Sequence, residues 1–258
     1  MDKTLVKGLT LYEMLAASDR PRGVTELSQA LELTKSNVHR LLKTMMSCGY
    51  VQQDAETGRY IATFKGWEIG YEVWTRSALK RATSPFAEDL ARRTGQMVHV
   101  AIAEGEDLLF FEQIGAPGPY PFRRFWPIGG RMPCWELMSG GHDLIAMQVA
   151  CIAALPDADR KRILKGLSEK ARRAASVKKL VARIQEAQEK GYAVNRGEWM
   201  DNVRGVASPF LRADGALAGV LGLTADAAEA KDELLERWGK ATSQSARGIS
   251  HALGHEYR

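Results

Sequence analysis

The chain has 258 residues, 45% of them hydrophobic, and a formal net charge of +5; that excludes a disordered chain, suffices for two modest cores, and favours an anionic partner without requiring one. No uninterrupted apolar stretch approaches membrane-spanning length, so no membrane partner is expected. Cys48, Cys134 and Cys151 stand without CxxC or Cys/His spacing, which argues against a disulfide framework or a zinc site; no cofactor or metal is expected.

The opening MDKTLVKGLTLYEML lacks a basic region followed by a sustained apolar run and reads as an amphipathic helix, so a cytoplasmic location is expected. Leu27 and Leu31 then form an apolar stripe at helical spacing. Glu32-Leu33 is short enough only for a turn before Thr34, a good N-cap residue. In the helix that follows, Val38, Leu41, Leu42 and Met45 recur at i, i+3, i+4 and i+7 and should face the core.

At 100° per residue the opposite face carries Ser36, Arg40, Lys43 and Ser47, flanked by Asn37, His39 and Thr44, with Lys35 at the helix start. These groups match what a major groove offers: Arg forks onto guanine, Asn onto adenine, and Ser or Thr reaches base edges or phosphate. Cys48-Gly49 ends the helix. Tyr50 to Gln52 should pair with Arg59 to Ile61 across a turn closed by Gly58, placing Arg59 on that hairpin near a phosphate. Helix, short turn, polar helix and hairpin together make a winged helix-turn-helix over residues 1–64. Its candidate DNA contacts are Lys35, Ser36, Asn37, His39, Arg40, Lys43, Thr44 and Arg59.

Residues 65–82 read as a linker helix, with Trp67, Tyr71 and Trp74 returning to one side in more aromatic density than a spacer needs. Ser84-Pro85 has the chemistry of a helix start, and a second domain is expected over 83–258. MVHVAIAEG and DLLFFEQIG form a strand pair turned at Gly105. The stretch from Gly115 to Gly141, dense in Gly, Pro and aromatics, reads as a long functional loop with a short helix at its end. Helices follow at about 157–166 and 177–190, then two strands joined by Asp214-Gly215 and a last helix from about Ala230 to Leu253. The fold class is α+β, with an antiparallel sheet carrying helices.

TKSNVHRLLKTM with CGYVQQDAETGRY, Gly130-Arg131-Met132-Pro133, EKGYAVN from Glu189 to Asn195, and RGVASPFLRADGALAGVLGLT from Arg204 to Thr224 resemble the isocitrate-lyase-regulator (IclR) family of bacterial transcription regulators over almost the whole chain. The resemblance implies a GAF-like C-terminal effector domain and a homo-oligomer, a dimer or dimer of dimers, on a palindromic double-stranded DNA operator. It also places contacts to a small-molecule effector in the segment from Pro133 to Gly141, at Asn195, at Gly205, and at Gly222 and Thr224. That segment includes Cys134, Trp135, Met138 and Ser139.

Family members that bind small oxo-acids often have Asp at the position of Asn195, a small polar group at that of Gly205 and Ser at that of Gly222. Where they read P-L-H-A-T-A-x-G-K-A, this chain reads PCWELMSGGH from Pro133 to His142. Two glycines should enlarge a pocket, and Trp126, Trp135 and Met138 would give it flat, adaptable walls, so an aromatic acid is the expected effector. Arg123, Arg124 or Arg131 would receive its carboxylate.

The function expected is therefore ligand-responsive regulation of a catabolic operon, by repression or activation. The alternatives are a constitutive DNA-binding protein whose second domain only oligomerises, and an enzyme using Cys134 or His142. No nucleophile-elbow or metal-ligand spacing joins these to His99 or Asp143.

Overall fold

The computed structural model describes residues 1–115, 127–135, 144–170 and 174–257. The chain divides into two compact units, Met1–Ser77 and Ala78–Arg258. Among the described residues no helix is long and apolar enough to cross a membrane.

The first unit begins with α1 (Lys3–Ala16), whose N-terminal N–H groups at Thr4 and Leu5 donate to the Asp2 carboxylate at 2.8 and 3.2 Å. Two further helices follow, α2 (Val24–Ala30) and α3 (Lys35–Ser47), the latter capped by Thr34, which accepts from the Asn37 N–H. Between them Glu32 takes the left-handed backbone, φ 53°, and Leu33 N–H donates to Ser28 O at 2.9 Å, which turns the chain tightly. Leu11, Leu15, Leu27, Val38, Leu42, Val51 and Tyr60 form the core, as the i, i+3, i+4 stripe on α3 requires.

The wing is β1 (Val51–Gln53) against β2 (Tyr60–Ala62), turned at Gly58 with φ 65°. Both strands start one residue later than the expected Tyr50 to Gln52 and Arg59 to Ile61, so that Val51 lies opposite Ala62 rather than Tyr60 and Gln53 lies opposite Tyr60. Tyr50 is excluded because its N–H closes the end of α3 by donating to Met45 O. Arg22 and Tyr60 exchange two backbone hydrogen bonds of 2.8 Å, adding a third short segment to the wing.

After the wing, α4 (Lys65–Arg76) ends at Ser77, which is extended. The second unit opens with α5 (Ala78–Thr94), so the helix start expected at Ser84-Pro85 lies within a helix instead. Pro85 forfeits one N–H bond, but Ala82, Thr83, Ala87 and Leu90 stay buried on either side of it, and that packing outweighs the lost bond.

The second unit is built on a six-stranded antiparallel sheet of order β5-β4-β3-β8-β7-β6. Its strands are β3 (Met97–Glu104), β4 (Asp107–Ile114), β5 (Arg131–Pro133), β6 (Ala193–Asn195), β7 (Val203–Leu211) and β8 (Leu217–Asp226). Four helices complete the unit: α6 (Ala146–Ala154), α7 (Asp157–Lys170), α8 (Ala174–Lys190) and α9 (Asp232–Ala252). One sheet face packs on α5 and α9 through Val98, Val100, Leu221, Ala246 and Ile249. The other packs on α6 and α8 through Ala101, Ala207, Val220, Val149 and Ile184. The sequence reading anticipated neither β5, β6 nor α6.

Candidate functional sites: a polar helix face and an enclosed cavity

On α3 the residues opposite the buried stripe are exposed, with Asn37 half-buried at the margin. Lys35, Ser36, His39, Arg40, Lys43 and Thr44 border one open concave surface together with Val24 of α2. Among the described residues no carboxylate pairs with Lys35, Arg40 or Lys43, so these cations meet an anion without first giving up an ion pair. The Thr44 hydroxyl is turned inward and donates to Arg40 O at 3.1 Å.

Arg59 is placed differently. Its guanidinium donates to Glu26 Oε2 at 3.1 Å, and Glu26 also takes Arg20 at 2.6 Å and lies 3.9 Å from Arg22. The Arg20 hydrogen bond foremost, then the Gly23 N–H, holds the Glu26 carboxyl down to about 2. Arg59 thus reaches a phosphate only by leaving Glu26.

In the second unit, the sheet register gathers residues from four strands. Asn195 on β6 lies opposite Gly205 on β7, which lies opposite Thr224 on β8; His99 on β3 lies opposite Gly222 two residues back along β8. Because side chains alternate with period two, Gly222 and Thr224 present the same face, toward α6. With Met147 and Trp199 these residues enclose a cavity of about 20 Å³. His99 is fully buried and its Nε2 lies 2.9 Å from Thr224 Oγ1. Met147 and Trp199 have no counterpart among the residues expected from sequence, and His99 enters there only as a reactive group; His99 and Met147 come from distant segments, and Trp199 from the loop just past Asn195.

The two glycines do not leave the open space expected of them. A Cβ on Gly222 would lie 3.1 Å from Met147 Cγ and 3.2 Å from its Sδ, so the methionine already covers that face. A Cβ on Gly205 would lie 2.5 Å from Leu223 O, so its absence serves the close approach of β7 and β8.

The remaining effector candidates do not converge on this cavity. Arg131, on the edge strand β5, is half-exposed and ion-paired outward to Glu104 at 2.6 Å, with Asp107 at 3.8 Å. Trp135 is partly buried against the core beside α6 and is not among the cavity's lining residues. Cys134 is buried there too, and burial first, then hydrogen bonding with Cys134, pushes the Cys151 thiol well above its ordinary value. Thiols in such surroundings are poor nucleophiles. Trp126, Met138, Ser139, Arg123, Arg124 and His142 lie outside the described residues.

A pinned loop borders the cavity. Arg183 of α8, itself buried, donates to Leu144 O at 2.8 Å and Val194 O at 3.3 Å, and its Nε lies 3.9 Å from Glu198, next to Trp199. One guanidinium therefore ties together the entry to α6, strand β6 and the loop between β6 and β7.

Residues 4–55 match the IclR helix-turn-helix domain, and residues 71–251 match the C-terminal domain of the bacterial transcriptional regulator IclR. The chain is 28% identical to the HTH-type transcriptional regulator KdgR of Escherichia coli K12, across 96% of this chain and 93% of that one. Its fold is similar to that of the Thermotoga maritima IclR, with TM-score 0.74, 19% identity, and 99% and 100% of the two chains covered. It is also similar to an IclR homolog of Microbacterium hydrocarbonoxydans complexed with 4-hydroxybenzoate, with TM-score 0.70, 17% identity, and 97% and 99% covered.

Proposed function

The chain belongs to the IclR family of transcriptional regulators, with a DNA-binding and an effector-binding domain, and on that premise we propose that it controls a catabolic operon in the cytoplasm in response to a small aromatic carboxylic acid. It is a regulator and not an enzyme. The observation that carries the proposal is the division of labour between the two units. One unit presents a polar face on α3 whose cations pair with no carboxylate among the described residues, and the other encloses a partly polar cavity among buried strands.

The aromatic class rests on Trp199 and Met147, a flat and an adaptable apolar surface, which line the cavity together with His99, Asn195 and Thr224. The 4-hydroxybenzoate held by the Microbacterium homolog supports the same class. A cavity of about 20 Å³ admits roughly one water and no aromatic ring, so binding requires the lining to rearrange. That rearrangement gives the ligand different affinities for two states, which any control of DNA binding needs.

Two copies on a palindromic operator are part of the proposal. Leu5 and Leu9 of α1, and Trp67, Tyr71 and Val73 of α4, are exposed, and α4 has no buried residue among those described. An apolar surface of this kind is costly to leave in water and suits a second copy of the chain. Titration of the protein into duplexes drawn from the region of its own gene, against a scrambled duplex at fixed salt, tests the DNA claim. A preference of roughly 10³-fold or more is expected for one fragment; equal affinity for all would sink it.

A further inference from the structure

We propose that the effector carries a hydroxyl or N–H group that donates to Oδ1 of Asn195, and that its apolar body takes the place where Met147 now lies on Gly222. The inference rests on the effector cavity just described and narrows the chemistry of its ligand.

Asn195 is 4% exposed, and its Nδ2 donates to Val203 O at 3.1 Å. A carbonyl only accepts, so this bond fixes which end of the amide is which. Oδ1 is the end left over, and among the described residues it has no hydrogen-bond partner. A buried acceptor without a donor is costly, whereas a donor arriving from a ligand recovers that cost on binding. His99 Nε2 and Thr224 Oγ1, which also line the cavity, lie 2.9 Å apart and engage each other. Among the described lining residues there is no Lys, Arg, Asp or Glu, so what these residues discriminate is hydrogen bonding and shape.

Met147 supplies the shape. Its Cγ and Sδ lie 3.1 and 3.2 Å from where a Cβ of Gly222 would be, so the thioether rests on bare backbone. An unbranched methionine leaves such a place by rotating its own bonds. The face it uncovers on Gly222 is flat, because no side chain projects from it. A ligand that offers only acceptors would set its lone pairs against Oδ1 and leave that atom unpaired.

The test is calorimetric titration of the full chain with two matched pairs, 4-hydroxybenzoate against 4-fluorobenzoate and lactate against pyruvate. In the wild type the donor-bearing member should bind roughly tenfold or more tightly. Asn195→Leu should bring the ratio close to one, and Met147→Ala should tighten the aromatic pair several-fold while keeping its ratio. The wild-type ratio decides the matter alone should Asn195→Leu not fold. Equal or weaker binding of the donor member in both pairs overturns the proposal, as does a ratio unchanged in Asn195→Leu. A donor preference confined to lactate keeps the role of Asn195 and removes the aromatic effector; no binding by any of the four to wild type or Met147→Ala overturns both.

Discussion

Replacing Lys43 by Ala separates the roles of two neighbouring cations on α3. Lys43 is exposed and, among the described residues, pairs with no carboxylate, so the variant should fold with stability within about 0.5 kcal/mol of wild type. On DNA each phosphate neutralised contributes a slope of roughly −0.9 in log K against log salt. One lost contact per copy therefore removes roughly 3.5-fold of the affinity change between 50 and 200 mM salt, and two copies on one operator remove roughly 12-fold. Arg40→Ala should behave otherwise: a fork onto guanine is worth roughly 1–3 kcal/mol at one base pair, with discrimination lost there and retained elsewhere. Fluorescence anisotropy at four salt concentrations, on the operator and on single-base variants, reads both effects. Equal losses for the two variants on every sequence, or a salt slope unchanged by Lys43→Ala, would refute the placement of α3 in the groove.

Glu26→Gln should release Arg59 and Arg20, raising operator affinity and steepening the salt slope by roughly 0.9 if Arg59 turns to a phosphate; an unchanged slope would leave Arg59 as a purely structural partner. The Glu26 carboxyl, held at about 2, is depressed below its ordinary value, so its ion pairs are intact at neutral pH and are lost as pH falls through that value. An NMR titration midpoint near 4.5 would contradict the three-arginine cluster. Glu32→Gly relieves a left-handed backbone at φ 53°, a cost of roughly 1–2 kcal/mol against roughly 0.5–1 for glycine's added freedom. A higher denaturation midpoint is expected, and a lower one refutes the strain. Gly205→Ala drives a Cβ to 2.5 Å from Leu223 O and should cost roughly 1–3 kcal/mol as β7 and β8 separate; denaturation unchanged from wild type would show that the strands yield.

The parts legible in the sequence are those set by local pattern. The α3 stripe of Val38, Leu41 and Leu42 is buried where its spacing puts it, because one amphipathic helix needs only its own period to be read. The hairpin of β7 and β8 was marked by Asp214-Gly215 for the same reason. Helix α6 was invisible because its residues from Ala146 to Ile152 are all buried, and a helix apolar on every side shows no period. Strand β6 has three residues, too few for alternation to register. Pro85 misled because its local preference for a helix start was overridden by burial along α5.

The cavity divides in the same way. Asn195, Gly205, Gly222 and Thr224 were placed by family resemblance, and the strand register brings them together. His99 and Met147 join them only through pairing of β3 with β8 and packing of α6, contacts that span from about 50 to over 100 residues of chain and leave no local signal. Arg131 carried a suggestive charge, yet the carboxylates of Glu104 and Asp107 across the strand turn claim it first.

The most direct test of ligand-controlled DNA binding is the operator dissociation constant, measured with and without saturating 4-hydroxybenzoate, with binding of the acid established separately by calorimetry. Coupling between the two units should change operator affinity by roughly 5–150-fold, and the operator should change affinity for the acid by the same factor. An operator affinity unaltered by bound acid would contradict it.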